Sequence, residues 1–159
     1  MAKIPFTVRQ KSLLGIAAFA VLAMWAYMLI NYGSLPDEMI IGFDTDGQVS
    51  AYGNKAELFR LPAIGTVIVA LLPIVMIKSE IWNLPVKTTK NNEEFIIGKM
   101  RDMMATVIAL LGIGLFYIQF CMINSLNAVG LFLPMFLGVI VIVLLCFYLY
   151  ICIAAKKRA

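Results

Sequence analysis

Apolar residues in this chain gather into four runs, residues 12–32, 61–77, 103–123 and 128–155, none of which contains Asp, Glu, Lys, Arg or His. The hydrocarbon core of a bilayer needs about 20 apolar residues in a helix that rises about 1.5 Å per residue. Three runs reach that length, and the second reaches it once Leu58 and Phe59 are added. Backbone polar groups in lipid must find partners within their own segment, so each run is expected to be a helix. The pattern therefore predicts an all-α fold, a four-span transmembrane helical bundle forming one integral membrane domain. Its helices are expected at about 12–32, 57–77, 100–123 and 128–155. An ordered loop over 33–56 would separate the first two, and a second loop over 78–99 would follow the second.

The fourth run is the most apolar: sixteen Leu, Ile, Val or Phe residues lie between Leu131 and Ile153. At roughly 0.3–0.6 kcal/mol each they outweigh Gly130, Pro134 and Gly138 in the insertion balance. Lys3, Arg9 and Lys11 precede the first run as they would a signal peptide. However, that run exceeds the roughly 7–15 residues of a signal core, so a retained helix is expected.

Charge sets the orientation. Of thirteen Lys and Arg residues, eleven fall before the first span, between the second and third, or after the fourth. Only Lys55 and Arg60 lie on the alternate side, beside Asp37, Glu38, Asp44, Asp46 and Glu57. By the positive-inside bias both termini are expected in the cytoplasm, with residues 33–60 and 124–127 outside, as in a multi-pass inner-membrane protein. The net charge of +4 then reports orientation and attraction to anionic lipid, not a nucleic-acid partner.

The outer loop carries the clearest local signals. Residues 39–43 and 48–52 read as two strands around Asp44-Thr45-Asp46-Gly47, in which Asp46-Gly47 suits a tight turn. Asn54 is expected to cap the following helix, with Glu57 reaching back to close a capping box. Pro62 and Pro73 are each expected to remove a backbone hydrogen bond from the second span. In the inner loop, Leu84-Pro85 reads as extended and Asn91-Asn92-Glu93-Glu94 as a helix start leading into span three. The short stretch 124–127 requires spans three and four to form a helical hairpin.

Catalytic chemistry has little to work with here. The chain has no His, and it lacks GxSxG, HExxH and Walker patterns, so no enzyme activity, catalytic residue, metal or cofactor is expected. Asp44-Thr45-Asp46-Gly47 begins like a calcium loop, but its Gly stands fourth instead of sixth and Lys55 occupies the twelfth position. Cys121, Cys146 and Cys152 read as buried inert thiols, and Met100, Met103 and Met104 as packing residues. Gln119 is the most polar deep side chain, expected to bond a neighbouring helix.

Leu35-Pro36, Phe43, Gly47, Tyr52-Gly53-Asn54-Lys55 and Pro62 form a pattern that resembles the N-terminal domain of unknown function of SdpI-type bacterial immunity membrane proteins. The resemblance covers about residues 25–75. The chain departs from it at Gly42, where a His is usual, near Ile40 or Ile41, where a Pro is expected, and near Ser50, where an acid is expected. It implies a non-enzymatic bacterial inner-membrane protein that protects against, or senses, a membrane-active peptide. Leu35, Pro36, Phe43, Asp44, Asp46, Gly47, Tyr52, Gly53, Asn54, Lys55 and Pro62 are the candidate ligand-binding residues. The acidic loop independently suits a cationic or amphipathic ligand, and it equally suits a purely structural role in which it caps the bundle and seals the outer ends of its helices. Two other readings fit the same sequence: an oligomeric small transporter or channel component, and a scaffold that binds a cytoplasmic protein through the inner loop.

Overall fold

The computed structural model describes residues 4–78, 82, 84, 89, 91–126 and 129–157. Four helices dominate: α1 (Val8–Asn31), α2 (Arg60–Ile77), α3 (Glu93–Ile123) and α4 (Phe132–Lys156). All four are long and apolar enough to cross a bilayer, which makes this a multi-pass membrane protein. Between α1 and α2 stand two antiparallel strands, β1 (Glu38–Phe43) and β2 (Val49–Asn54), so the fold is helical with one small sheet. Short 3-10 turns, Tyr32–Ser34 and Lys55–Phe59, join the hairpin to its flanking helices.

The helix boundaries differ from the apolar runs, and each difference has a local cause. α1 begins at Val8 because Thr7 and Gln10 close a capping box: the Thr7 hydroxyl accepts from the Gln10 N–H, and the Gln10 side chain accepts from the Thr7 N–H. α3 begins at Glu93, with Glu93 and Glu94 in its first turn, and runs unbroken for 31 residues. At 1.5 Å per residue that is roughly 46 Å, so it outreaches a hydrocarbon core of about 30 Å. α4 begins at Phe132 rather than 128 because Val129 and Gly130 serve the hairpin, as described below. Pro62 costs α2 nothing, since it lies in the first turn, where N–H groups lack helical partners anyway. Pro73 alone stands inside α2. Pro85 and Asn127 lie outside the described residues, and with them parts of the expected extended segment and of the 124–127 connection.

α3 is the centre of the bundle: α1, α2 and α4 all pack on it, and α1 also meets α2. The α1–α3 crossing is close because its residues are small. Ala17 is fully buried, and a Cβ built on Gly112 would stand 3.3 Å from the Ala17 carbonyl oxygen and 3.5 Å from the Ala20 Cβ. Small residues let membrane helices approach and gain dispersion contacts that lipid cannot match. Gln119 of α3 lies fully inside this seam and donates to the Met24 carbonyl of α1 at 3.3 Å. By contrast α4 buries only Ile151 and Ala155, both near its end. Cys121 is buried, whereas Cys146 is exposed and Cys152 half-buried on α4, so the expectation of three buried thiols is corrected for both.

Replacing Gly112 with Leu should wedge α1 from α3 and cost about 1–3 kcal/mol. It is expected to lower the thermal midpoint in detergent, while Gly15→Leu, at a position with open space, should leave it unchanged.

Candidate functional site

The β1–β2 turn is organised by one carboxylate. Asp44 Oδ1 accepts from the Asp46 and Gln48 amides at 3.0 and 2.8 Å, and the Asp44 N–H donates to the Gln48 carbonyl at 2.9 Å. Gly47 completes the turn at φ +77°, a conformation that side chains resist. Asp44 is thus engaged within the turn, while the Asp46 side chain faces solvent.

The tip does not hang free. The Gly47 carbonyl accepts from the Val129 N–H at 2.8 Å, and a Cβ on Gly47 would come within 2.1 Å of the Gly130 carbonyl oxygen. This backbone-to-backbone contact ties the hairpin to the α3–α4 connection. Beneath it, Met39 and Ile40 pack into a buried cluster with Met28, Leu58, Met122 and Ile123, against which Leu35, Phe43 and Val49 also rest. The strand register shifts between Ile40 and Gly42. Such irregularities re-aim a side chain, and here Ile41 lies over Gly53, where its Cδ1 would be 2.5 Å from an added Cβ.

Lys55 fastens the base of the hairpin. Its ammonium donates to the Leu35 carbonyl at 3.3 Å, pairs with Asp37 at 3.0 Å and stands 5.4 Å from the Tyr32 ring centre. Its own N–H donates to the Asp37 carbonyl at 3.0 Å. The Leu35-Pro36 corner and the Tyr52-Gly53-Asn54-Lys55 segment therefore meet at one node. Asn54 caps the next turn, accepting from the Ala56 N–H at 2.8 Å. Glu57 does not reach back to close a box; it pairs forward with Arg60. Buried Pro62 presents its carbonyl to the Thr66 hydroxyl at 2.7 Å, and Thr66 in turn accepts from the Trp25 indole at 3.0 Å.

Most of the eleven candidate residues are thus tethers of the hairpin. Tyr52, 62% exposed, and Asp46, Pro36 and Asn54 point outward. Gly42 and Ser50, where the chain departs from the resembled pattern, are neighbours across the strands: a Cβ on Gly42 would stand 3.1 Å from Ser50 Oγ. A His and an acid at those positions would face each other, and this chain has neither.

A second polar cluster sits at the other end of the bundle and was not read from the sequence. Buried Asp102 accepts from Gln10 Nε2 at 2.7 Å and from Lys99 Nζ at 3.0 Å. Buried Arg101 donates to the Met76 carbonyl at 3.0 Å and the Ile4 carbonyl at 2.6 Å, 4.9 Å from the Phe6 ring centre. The Thr7-x-x-Gln10 spacing was the signal available for it. The cluster ties three helix ends together and leaves no open carboxylate pair. Among the described residues, no three Cys, Asp or Glu side chains gather where they could hold a metal.

Residues 19–66 match the family model described as a domain of unknown function, DUF1648. That stretch runs from the middle of α1 through the hairpin into α2, and it contains every tether on the β side of the contacts above. The chain is also 31% identical over 71 residues to an uncharacterized protein of Archaeoglobus fulgidus, a match covering 45% of this chain and 39% of that relative. No solved structure matches. The family match thus covers the helix–hairpin–helix unit.

Gly47→Ala should undock the tip, since it combines an unfavourable φ with a collision against Gly130. Hydrogen exchange at the Val129 amide is expected to accelerate, with the α1–α3 seam remaining protected.

Proposed function

We propose that this is a non-enzymatic inner-membrane protein that engages a cationic or amphipathic, membrane-active peptide at its outer face, in immunity or sensing. The observation that carries the reading is the outward side of β2. There Ser50, Tyr52 and Asn54 are exposed in alternation, on a strand immobilised from below and at both ends. Among the described residues the sheet has two strands, and β2 has no strand on its other edge. An extended peptide can add to such an edge through main-chain hydrogen bonds while an aromatic ring anchors its side chains. Exposed Asp46 and Glu38 supply attraction for a cationic partner. The resemblance of the loop to immunity proteins supports the same direction, as does the excess of basic residues on the other side of the spans.

Expression in a strain sensitive to cationic peptides tests the proposal. Tyr52→Ala should weaken peptide binding about tenfold, or ~1.4 kcal/mol, whereas Asp46→Asn should slow association at low salt with little change in affinity at physiological salt, both with no change in thermal midpoint. Asp44→Ala should reduce binding and hairpin protection together, because it dismantles the turn. Equal sensitivity with and without the protein, across a peptide panel, would refute the reading.

A further inference from the structure

Beside the hairpin a cavity of about 300 Å³ opens between β1, the start of α2 and α3. Ile41, Leu58, Ile64 and Met122 form its apolar walls, and Glu57 and Arg60 stand at its mouth. None of the hairpin tethers needs this space. Ile64 is 50% exposed on α2, a helix long and apolar enough to cross a bilayer. The charged pair lies where α2 begins, at one end of that helix.

We propose that this cavity binds one ethanolamine phospholipid, its phosphate on Arg60, its ammonium on Glu57 and an acyl chain passing over Ile64 into the apolar interior. Charge complementarity selects this occupant. Glu57 and Arg60 form an ion pair whose side chains are 39% and 64% exposed, so both can turn toward a ligand. A zwitterionic headgroup satisfies the two together. An anionic glycerol headgroup uses Arg60 and is repelled by Glu57, and a cationic peptide does the reverse. A choline headgroup carries no N–H to donate to Glu57, whereas an ethanolamine ammonium has three. The volume sits at the lower limit of small-molecule sites, which suits a length of acyl chain and not a folded segment of protein.

The peptide reading is independent of this site, and one experiment separates them. Full-length protein in maltoside micelles is mixed with equal amounts of phosphatidylethanolamine, phosphatidylglycerol and phosphatidylcholine, then released for native mass spectrometry. Phosphatidylethanolamine adducts should dominate. Arg60→Gln and Glu57→Gln should each reduce them about tenfold, the effect of losing one charge-assisted hydrogen bond. Ile64→Trp, which fills the cavity from its lipid-exposed rim, should abolish them without lowering the thermal midpoint. Tyr52→Ala and Asp46→Asn should leave them unchanged. Equal retention of all three lipids, preference for phosphatidylglycerol, or adducts that persist in Ile64→Trp would overturn the proposal. So would retention of a cationic peptide in this cavity in place of lipid.

Discussion

A two-stranded hairpin is at best marginally stable in water, so the order of this one has to come from what lies beneath it. Met39 and Ile40 provide it by entering the same buried cluster as Met28, Leu58, Met122 and Ile123. The end of α1, the turn before α2 and the end of α3 all contribute to that cluster, so the hairpin's order depends on their packing together. The outward face of β2 is therefore a consequence of helix packing. The Gly47–Val129 bond adds α4's connection to the same arrangement. Everything the hairpin presents to solvent depends on this docking.

The two ends of the bundle solve the same problem with different groups. Helix termini leave carbonyl and amide groups without partners, and near a bilayer water is scarce. At the hairpin end the chain uses backbone and a lysine: Gly47 to Val129, and Lys55 to Leu35. At the other end a single guanidinium serves two carbonyls from different segments, Met76 and Ile4, while lying against Phe6. The planar, many-donor guanidinium suits that task better than an ammonium would. Gln119 is the exception within the seam. Its Nε2 is bonded to Met24, while its Oε1 meets no donor among the described residues.

How much of this was legible in advance depended on range. The four spans follow from composition alone, because lipid tolerates so few alternatives. The hairpin was also legible, since Asp46-Gly47 specifies a turn locally between two segments that read as strands. Contacts across the chain were not. Nothing adjacent to Gly47 announces Gly130, some eighty residues away, and the late start of α4 follows from that contact. The helix start near 91–94 was expected, but the burial of Asp102 and Arg101 within the bundle was not. Glu57 had two partners within reach, and the forward salt bridge to Arg60 prevailed over the backward cap.

Geometry also revises what the acidic loop means. Five acids against two bases suggested a negatively charged surface. Lys55 holds Asp37, Arg60 holds Glu57, and Asp44 faces its own turn amides. Glu38 and Asp46 remain exposed, with no ion pair among the described residues. Two solvated carboxylates separated by a strand give little affinity once screened by salt. Charge can therefore steer a cationic partner toward this face but cannot hold it there. Retention has to come from features that do not depend on ionic strength: the free edge of β2 and the exposed ring of Tyr52. A partner recognised this way needs an extended backbone and an apolar side chain more than a high positive charge.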